Sequence, residues 1–301
     1  MNKFFSVALL LVLTLGTIRG GATSISKVIT INDVPPLGYA LWQSFIAATI
    51  LIFLGYRQNK QFPKIGRRIK YYLVCGLVGT ALPNTIFFYS IKEIPAGTMA
   101  VLLTLVPILT YFLVVVSRME RVDIIRLAGI LLGFTGASLI ALPRVAGDFQ
   151  IDTYVLIAML CPLGYALMGV FVSRQSMPGI HPFHLAAGTH VVAILFLLPI
   201  TLISGQFHPI WQNPGLPEGL MLIHGTLAAI SYSLFFKIVE LAGAVFYSFS
   251  HYVIALTGLA WGMILFDETH GASFWMAVLL IFGGLTLVNA RQHAYRKQLV
   301  S

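Results

Sequence analysis

Arg19 is a fixed positive charge near the middle of a long apolar segment that covers residues 4–31. A charged side chain at that depth in a membrane costs roughly 2.5 to 3.5 kcal/mol on insertion scales, so it should face a cavity or a partner. Every acidic residue lies near a segment end or in a loop, so no carboxylate obviously neutralises Arg19. Because a guanidinium binds a carboxylate through two parallel hydrogen bonds, the hypothesis is that Arg19 faces a central cavity and binds an anionic group of a substrate. The alternative is that Arg19 reaches the outer surface or caps helix-end carbonyl groups.

Three histidines, His190, His224 and His251, lie within other apolar segments. Histidine changes its charge near neutral pH, which a proton-coupled carrier requires, so all three are candidates for proton coupling. Each could equally be a hydrogen-bonded packing residue. They are spread over three segments without metal-ligand spacing, and the sequence has no Gly-rich phosphate loop of the Walker type. We therefore expect no metal, no cofactor and no direct use of ATP.

Further polar side chains lie at membrane depth, namely Gln43, Asn84, Tyr165, Ser231 and Tyr232. Such groups are satisfied either by neighbouring helices or by a wet cavity, and the sequence leaves both open. The predicted substrate-binding residues are Arg19, Gln43, Asn84, Tyr165, Tyr232 and His251. Aromatic residues that could stack on a substrate ring, or else pack against helices or lipid, are Tyr39, Trp42, Phe246, Tyr247 and Tyr252.

The composition of the 301 residues is 58% hydrophobic and 10% charged, and the mean hydropathy is +0.88. These values exclude a soluble globular protein and indicate an integral membrane protein. Runs of about 20 apolar residues cross a hydrocarbon core of roughly 30 Å as α-helices. The sequence contains ten such segments, at residues 4–31, 36–56, 71–92, 95–117, 124–142, 152–173, 183–203, 219–240, 243–265 and 272–290.

The chain repeats itself with a constant offset of 148 residues, since the stretch 87–139 recurs without a gap as 235–287 and Glu120 falls on Glu268. We therefore divide it into two related halves, residues 1–148 and 149–301, with five spans each. Because five is an odd number, homologous halves must enter the membrane in opposite directions. The expected fold class is an all-α integral membrane protein with ten transmembrane helices in two inverted five-helix repeats.

The net charge of +9 is interpreted as a signal of membrane orientation, and no nucleic-acid partner is expected. With the N-terminus in the cytoplasm, most Lys and Arg residues collect on the cytoplasmic side, in stretches 57–70, 118–126 and 291–297. Only Lys27, Lys92 and Arg144 then fall on the other side. This bias predicts that both termini are cytoplasmic.

The chain resembles the drug/metabolite transporter superfamily, EamA type, in four short patterns. These are Gly-Leu-Val-Gly-Thr-Ala-Leu-Pro-Asn at 76–84, Phe-Phe-Tyr-Ser-Ile-Lys-Glu at 87–93, Leu-Val-Pro at 105–107 and Arg-Met-Glu at 118–120. The resemblance covers nearly the whole chain and implies a ten-helix carrier made of two EamA domains in a bacterial inner membrane. Three positions depart from the family pattern, which often has an arginine near Gln43, a tryptophan at Leu15 and a proline at Ala255. The motifs imply the fold and a broad role, and the substrate does not follow from them.

The expected function is secondary transport by alternating access, with a central site between the two repeats and export of a small metabolite such as an amino acid or related organic anion. The alternative is an efflux carrier for drugs or for other neutral or cationic compounds. A membrane enzyme is not expected, because carboxylates or histidines do not cluster at one interface. A receptor would more naturally have a larger loop. The expected partners are the substrate and the lipid bilayer, while the oligomeric state and the coupling ion stay open.

Overall fold

The computed structural model describes residues 3–59, 66–94, 99, 102–145, 153–177, 179–212, 214–266, 275–276 and 279–288. Within these residues the regular elements are all helical and no strand occurs, in agreement with the sequence. Part of the repeat and orientation arguments falls outside the described residues, namely Lys60, Lys64, Glu268, Arg291, Arg296 and Lys297.

The helices of the first half are α1 (Lys3–Ile31), α2 (Pro36–Asn59), α3 (Ile69–Glu93), α4 (Val106–Val116) and α5 (Ile124–Val145). Those of the second half are α6 (Thr153–Arg174, interrupted at Met159), α7 (Pro182–Ile203), α8 (Leu216–Ser248), α9 (Ser250–Phe266) and α10 (Leu279–Val288). In the described part of the chain, six helices are long and apolar enough to cross a membrane, and these are α1, α2, α3, α6, α7 and α8. Shorter apolar helices are α4, α10 and the Ile124–Gly136 part of α5.

Side chains just before α7 and at the start of α8 fix where these two helices begin. The Nδ1 atom of His181 accepts a hydrogen bond from the backbone N–H of Phe183 at 3.3 Å. Burial and the neighbouring His184 lower the pKa of His181, which favours the neutral ring that can accept this bond. At α8 the backbone N–H of Gly215 donates to Glu218 Oε2 at 2.9 Å. Both bonds satisfy backbone donors that a helix start leaves without a partner.

The middle of α3 is wound as a π-helix from Val74 to Ala81. Thr80 Oγ1 donates to the carbonyl oxygen of Cys75 at 3.0 Å, a separation of five residues that matches this wider winding. Pro83 lies two residues after the π-helix and has no backbone N–H to continue a regular ladder. Such π segments are frequent at functional sites, and this one ends three residues before Asn84.

Gly243 bends α8, with φ of 82° and ψ of 175°. The sequence predicts a break between the segments 219–240 and 243–265, and the non-helical backbone at Gly243 interrupts α8 at this position, before α9 begins at Ser250. Glycine adopts this positive φ without the strain that a Cβ would cause.

The two halves pack against each other in contacts that come in repeat-related pairs. Helix α1 lies against α8 and α9, and the equivalent helix α6 lies against α3 and α4. The equivalent pair α2 and α7 contact each other directly. This arrangement places the space between the halves at the centre of the molecule, between two buried apolar clusters.

Helices α5 and α10 approach closely at glycines. A Cβ added at Gly284 would meet the carbonyl oxygen of Gly129 and lie 3.0 Å from the backbone N of Gly133. A Cβ at Gly129 would lie 2.8 Å from the carbonyl oxygen of Gly284. These small residues therefore allow close packing of two helices within the chain.

Candidate functional site

A central cavity of about 60 Å³ lies between the two halves. It is reached by side chains of α1, α2, α3, α6, α8 and α9, so helices of both halves contribute to it. The lining has a polar part and an apolar part. The polar part consists of Arg19, Thr23, Ser26, Gln43, Asn84, Tyr165, His224, Ser231, Tyr232 and His251, and the apolar part of Ala22, Phe87, Phe88, Leu103, Leu227, Ala228 and Ile254.

Arg19 is half-buried and surrounded by three tyrosines. Its Cζ atom lies 5.4 Å from the ring centroid of Tyr165 and 5.7 Å from that of Tyr232, which is within the range of cation–π attraction. Its Nη1 atom donates a long hydrogen bond of 3.5 Å to the hydroxyl oxygen of Tyr247. The guanidinium therefore lies at the cavity, as the first of the two interpretations from the sequence expects.

The charge of Arg19 meets no opposite charge in the described lining. Among the described residues that line the cavity there is no Asp or Glu, and the ion pairs found elsewhere join Lys92 to Asp33, Arg126 to Glu120, His208 to Glu218 and Lys237 to Glu240. Aromatic faces attract a cation but accept few of its hydrogen bonds. Several guanidinium donors of Arg19 are thus available to a ligand.

Asn84 is the centre of a buried hydrogen-bond network that joins the two halves. Its Nδ2 atom donates to Gln43 Oε1 at 3.0 Å, and its Oδ1 atom accepts from the Tyr165 hydroxyl at 3.0 Å. The same Nδ2 atom lies 3.4 Å from the hydroxyl oxygen of Tyr232. All four residues are at most 8% exposed, so the network is shielded from bulk water and holds these side chains in fixed positions.

His224 continues this network along the cavity wall. Gln43 Nε2 lies 3.3 Å from His224 Nε2, and His224 Nδ1 contacts the hydroxyl of Tyr39, which in turn donates to Ser26 Oγ at 3.2 Å. An amide nitrogen can only donate, so this order assigns the proton of a neutral His224 ring to Nδ1. Both ring nitrogens then have partners. This agrees with the packing role that the sequence analysis weighs against proton coupling.

His251 and His190 have different surroundings from His224. His251 lines the cavity, its Nδ1 atom donates to the carbonyl oxygen of Ser248 at 3.1 Å, and its Nε2 atom has no hydrogen-bond partner among the described residues. His190 does not line the cavity but lies behind it, with its ring centroid 4.4 Å from that of Tyr232. Neither ring nitrogen of His190 has a partner in the described part of the chain. Of the three histidines, His251 alone combines a place in the lining with an unbonded nitrogen.

Eight of the side chains considered in the sequence come together at the cavity, and some aromatic ones do not. The first group comprises Arg19, Gln43, Asn84, Tyr165, His224, Ser231, Tyr232 and His251. Tyr252 lies elsewhere, where its hydroxyl donates to the carbonyl oxygen of Ile130 at 2.9 Å. Trp42 lies in a separate aromatic cluster with Phe207 and Trp211, and its Nε1 atom donates to the carbonyl oxygen of His208 at 2.6 Å.

Two lining residues, Ser26 and Thr23, were not predicted from the sequence, and neither was the hydrogen bond of Tyr247 with the guanidinium. Ser26 and Thr23 follow Arg19 by seven and four residues, so helical spacing places them on the same face of α1. That spacing could have identified them. Among the described residues, no group of three or more His, Cys, Asp or Glu side chains is arranged to hold a metal ion.

Comparisons with known proteins agree with this architecture. The model of the EamA-like transporter family matches residues 6–142 and again residues 152–290. The chain is 24% identical over 269 residues to the uncharacterized transporter YvbV of Bacillus subtilis (strain 168), covering 87% of this chain and 85% of that protein. It is 24% identical over 191 residues to the uncharacterized transporter YoaV of the same strain, covering 62% of this chain and 64% of that protein.

A crystal structure of another protein superimposes on this chain with a TM-score of 0.75. The match covers 94% of this chain and 97% of the other, at 18% sequence identity. At that identity the likeness concerns the fold. With the two family matches and the helical structure, the predicted all-α membrane fold of two repeats is confirmed.

Proposed function

Because this chain belongs to the EamA-like transporter family, we propose that this membrane transporter is a secondary carrier that exports a small metabolite with an anionic group. An amino acid or a related organic anion is the substrate class. Residues 1–148 and 149–301 form the two halves around the site. We assign the chain to a bacterial inner membrane with both termini in the cytoplasm, on the distribution of its basic residues.

The observation that carries the proposal is the unpaired charge of Arg19 at the cavity between the halves. Its guanidinium is held by the rings of Tyr165 and Tyr232 and by the hydroxyl of Tyr247, while no described lining residue carries a negative charge. A substrate carboxylate supplies the missing counter-charge and two acceptor oxygens for a planar fork of donors. The network around Asn84 keeps Tyr165 and Tyr232 in place for this contact.

Two observations support alternating access, namely the size of the cavity and the repeat-related contacts between the halves. Ligand sites for small molecules typically measure about 300 to 1,000 Å³, whereas this cavity measures about 60 Å³. A metabolite therefore enters and leaves only when the helices around the cavity separate at one face and then at the other. Repeat-related contacts, such as α1 with α9 and α6 with α4, provide two equivalent interfaces for such a movement.

His251 is the proposed proton-coupling group, because it lines the cavity and its Nε2 atom is unbonded in the described structure. Efflux of cationic drugs is the weaker alternative, since a cation in this cavity would be repelled by Arg19. The family and both relatives are transporters, and we propose no catalytic role.

The test is flux in proteoliposomes with labelled amino acids, organic anions, neutral sugars and organic cations. Wild type is compared with Arg19→Gln and with Arg57→Gln, a matched control at an exposed arginine near the end of α2 whose guanidinium lies over Phe53. We expect carboxylate-bearing solutes to move, Arg19→Gln to raise their KM or stop their flux, and Arg57→Gln to behave like wild type. Movement of cations or neutral solutes alone, unchanged in Arg19→Gln, would refute the proposal.

A further inference from the structure

We propose that the cavity selects a carboxylate with an apolar body and no ammonium group, so that the preferred substrate is a monoanion and not the zwitterionic amino acid of the same shape. The inference rests on the proposed function, because it takes Arg19 as the carboxylate-binding group. Of the two substrate classes proposed above, amino acids and related organic anions, it keeps only the organic anions. The charges, the hydrogen-bond acceptors and the apolar wall of the cavity support it separately.

The first support is the charge of the cavity. Arg19 is its one permanent charge among the described lining residues, and no Asp or Glu is present there to attract an ammonium group. In a 2-amino acid the ammonium nitrogen is two bonds from the carboxylate carbon, so binding of the carboxylate brings it close to the guanidinium. Like charges repel strongly where water is excluded. A monoanion gains the attraction to Arg19 without this repulsion.

The second support is that three acceptor atoms at the cavity already accept a hydrogen bond each. Gln43 Oε1 accepts from Asn84, Asn84 Oδ1 accepts from Tyr165, and Ser26 Oγ accepts from Tyr39. Each of these oxygens keeps at most one further lone pair for an ammonium N–H. A buried ammonium group left without acceptors pays a large desolvation penalty.

His251 Nε2 is a buried acceptor in the lining that has no hydrogen-bond partner among the described residues. Its ring lies next to those of Tyr165 and Tyr247, at centroid distances of 5.8 and 5.6 Å, and both tyrosines also contact Arg19. A single neutral acceptor matches one hydroxyl donor and not the three donors of an ammonium group. A 2-hydroxy acid therefore fits this pair of groups better than a 2-amino acid does.

The third support is the apolar wall. Phe87, Phe88, Leu103, Leu227 and Ile254 line the cavity together with the polar groups. Phe88 is held rigidly, because its ring stacks on Tyr39 with centroids 3.9 Å apart. An apolar substrate body gains free energy by leaving water for this wall, whereas a second polar or charged group on the body would lose its hydration.

The experiment uses three compounds with the same carbon skeleton, namely leucine, 4-methyl-2-oxopentanoate and 2-hydroxy-4-methylpentanoate. Each is added as a competitor of counterflow in proteoliposomes, and as a ligand of the purified full-length protein in a thermal unfolding assay at pH 7.5. A ligand that binds the folded protein raises the Tm, and at equal concentration a tighter ligand raises it more. We expect the oxo and hydroxy acids to inhibit at concentrations at least about tenfold lower than leucine and to raise the Tm more.

Two substitutions connect this preference to the charge of the cavity. Ser231→Asp adds a carboxylate to the lining and should shift the preference towards leucine, while Ser231→Asn adds a similar volume without charge and should leave the order of the three compounds unchanged. Arg57→Gln again serves as the control outside the cavity.

The outcomes separate this inference from the function on which it depends. Leucine that binds as well as or better than the two monoanions, with its binding lost in Arg19→Gln, overturns the inference and leaves the proposed function standing. Equal binding of all three compounds in wild type and in Arg19→Gln overturns both. No binding of the three compounds by a preparation that transports another carboxylate overturns the apolar monoanion as the preferred class.

Discussion

Asn84 and Tyr232 are separated by 148 residues, which is the repeat offset, and the Nδ2 atom of Asn84 lies 3.4 Å from the hydroxyl oxygen of Tyr232. Two equivalent positions in the two halves therefore meet at the centre of the molecule. Only residues close to the axis that relates the halves can do this. The cavity, which both residues line, is accordingly centred near that axis.

Asn84→Ala should lower the free energy of unfolding by about 1 to 3 kcal/mol, because it leaves Gln43 Oε1 and the Tyr165 hydroxyl buried without their partner. Tyr232→Phe removes the 3.4 Å contact with Asn84 and a hydrogen bond with Thr80, and it keeps the ring beside Arg19, so its effect should stay below about 1 kcal/mol. Unfolding of the purified protein in detergent, followed by circular dichroism, measures both. Equal losses in the two variants would contradict a network centred on Asn84.

Tyr165 should matter for transport through its ring as well as its hydroxyl. Tyr165→Phe keeps the ring 5.4 Å from the Arg19 Cζ atom and loses the bond to Asn84, whereas Tyr165→Leu loses both. Cation–π attraction is worth about 0.5 to 2 kcal/mol, so KM for a carboxylate should be about 2- to 30-fold higher in the leucine variant than in the phenylalanine variant. Initial rates in proteoliposomes give this ratio. Phe112→Leu, at an exposed ring, is the control, and a ratio near one would show that the ring does not hold Arg19.

The place of Arg19 at a cavity could be expected from the sequence, whereas the residues around its guanidinium could not, for a physical reason. A charge within an apolar segment has few stable destinations, so a cavity could be expected from position alone. Tyr247 lies 228 residues away, and it reaches the guanidinium from the part of α8 that follows the bend at Gly243. The break at this place was predicted from the sequence, but the direction in which the chain continues after it was not, so the sequence could not bring Tyr247 to Arg19.

The cavity-lining residues of α8 could be predicted from the sequence more easily. Its residues are His224, Leu227, Ala228, Ser231 and Tyr232, which recur at intervals of three and four and so occupy one face of the helix. The hydrogen-bond partners of His224 could not be predicted in this way. They come from α2, through Tyr39 and Gln43, and depend on how the two halves pack.

Gly284 and Gly283 are neighbours in α10 and should respond in opposite ways to the same substitution. A Cβ at Gly284 would meet the carbonyl oxygen of Gly129, so Gly284→Ala should force α5 and α10 apart and destabilise the protein by about 1 to 3 kcal/mol. A Cβ at Gly283 meets no described atom within 4 Å, so Gly283→Ala should be neutral or should stabilise the helix by up to about 1 kcal/mol. Thermal unfolding in detergent compares them. Similar Tm values for the two variants would contradict the close contact of α5 with α10.

His251 and His190 give opposite expectations for proton coupling. His251→Gln should remove the effect of an imposed pH gradient on transport, because the proposed proton acceptor, Nε2, is lost at the cavity while the side chain still donates a hydrogen bond. His190→Gln should keep that effect, since His190 contacts Tyr232 from behind and does not line the cavity. Flux with and without the gradient measures coupling, and counterflow at equal pH shows that the variants still bind and move substrate. A gradient effect that survives in His251→Gln and disappears in His190→Gln would assign the proton to His190 and to a route through Tyr232.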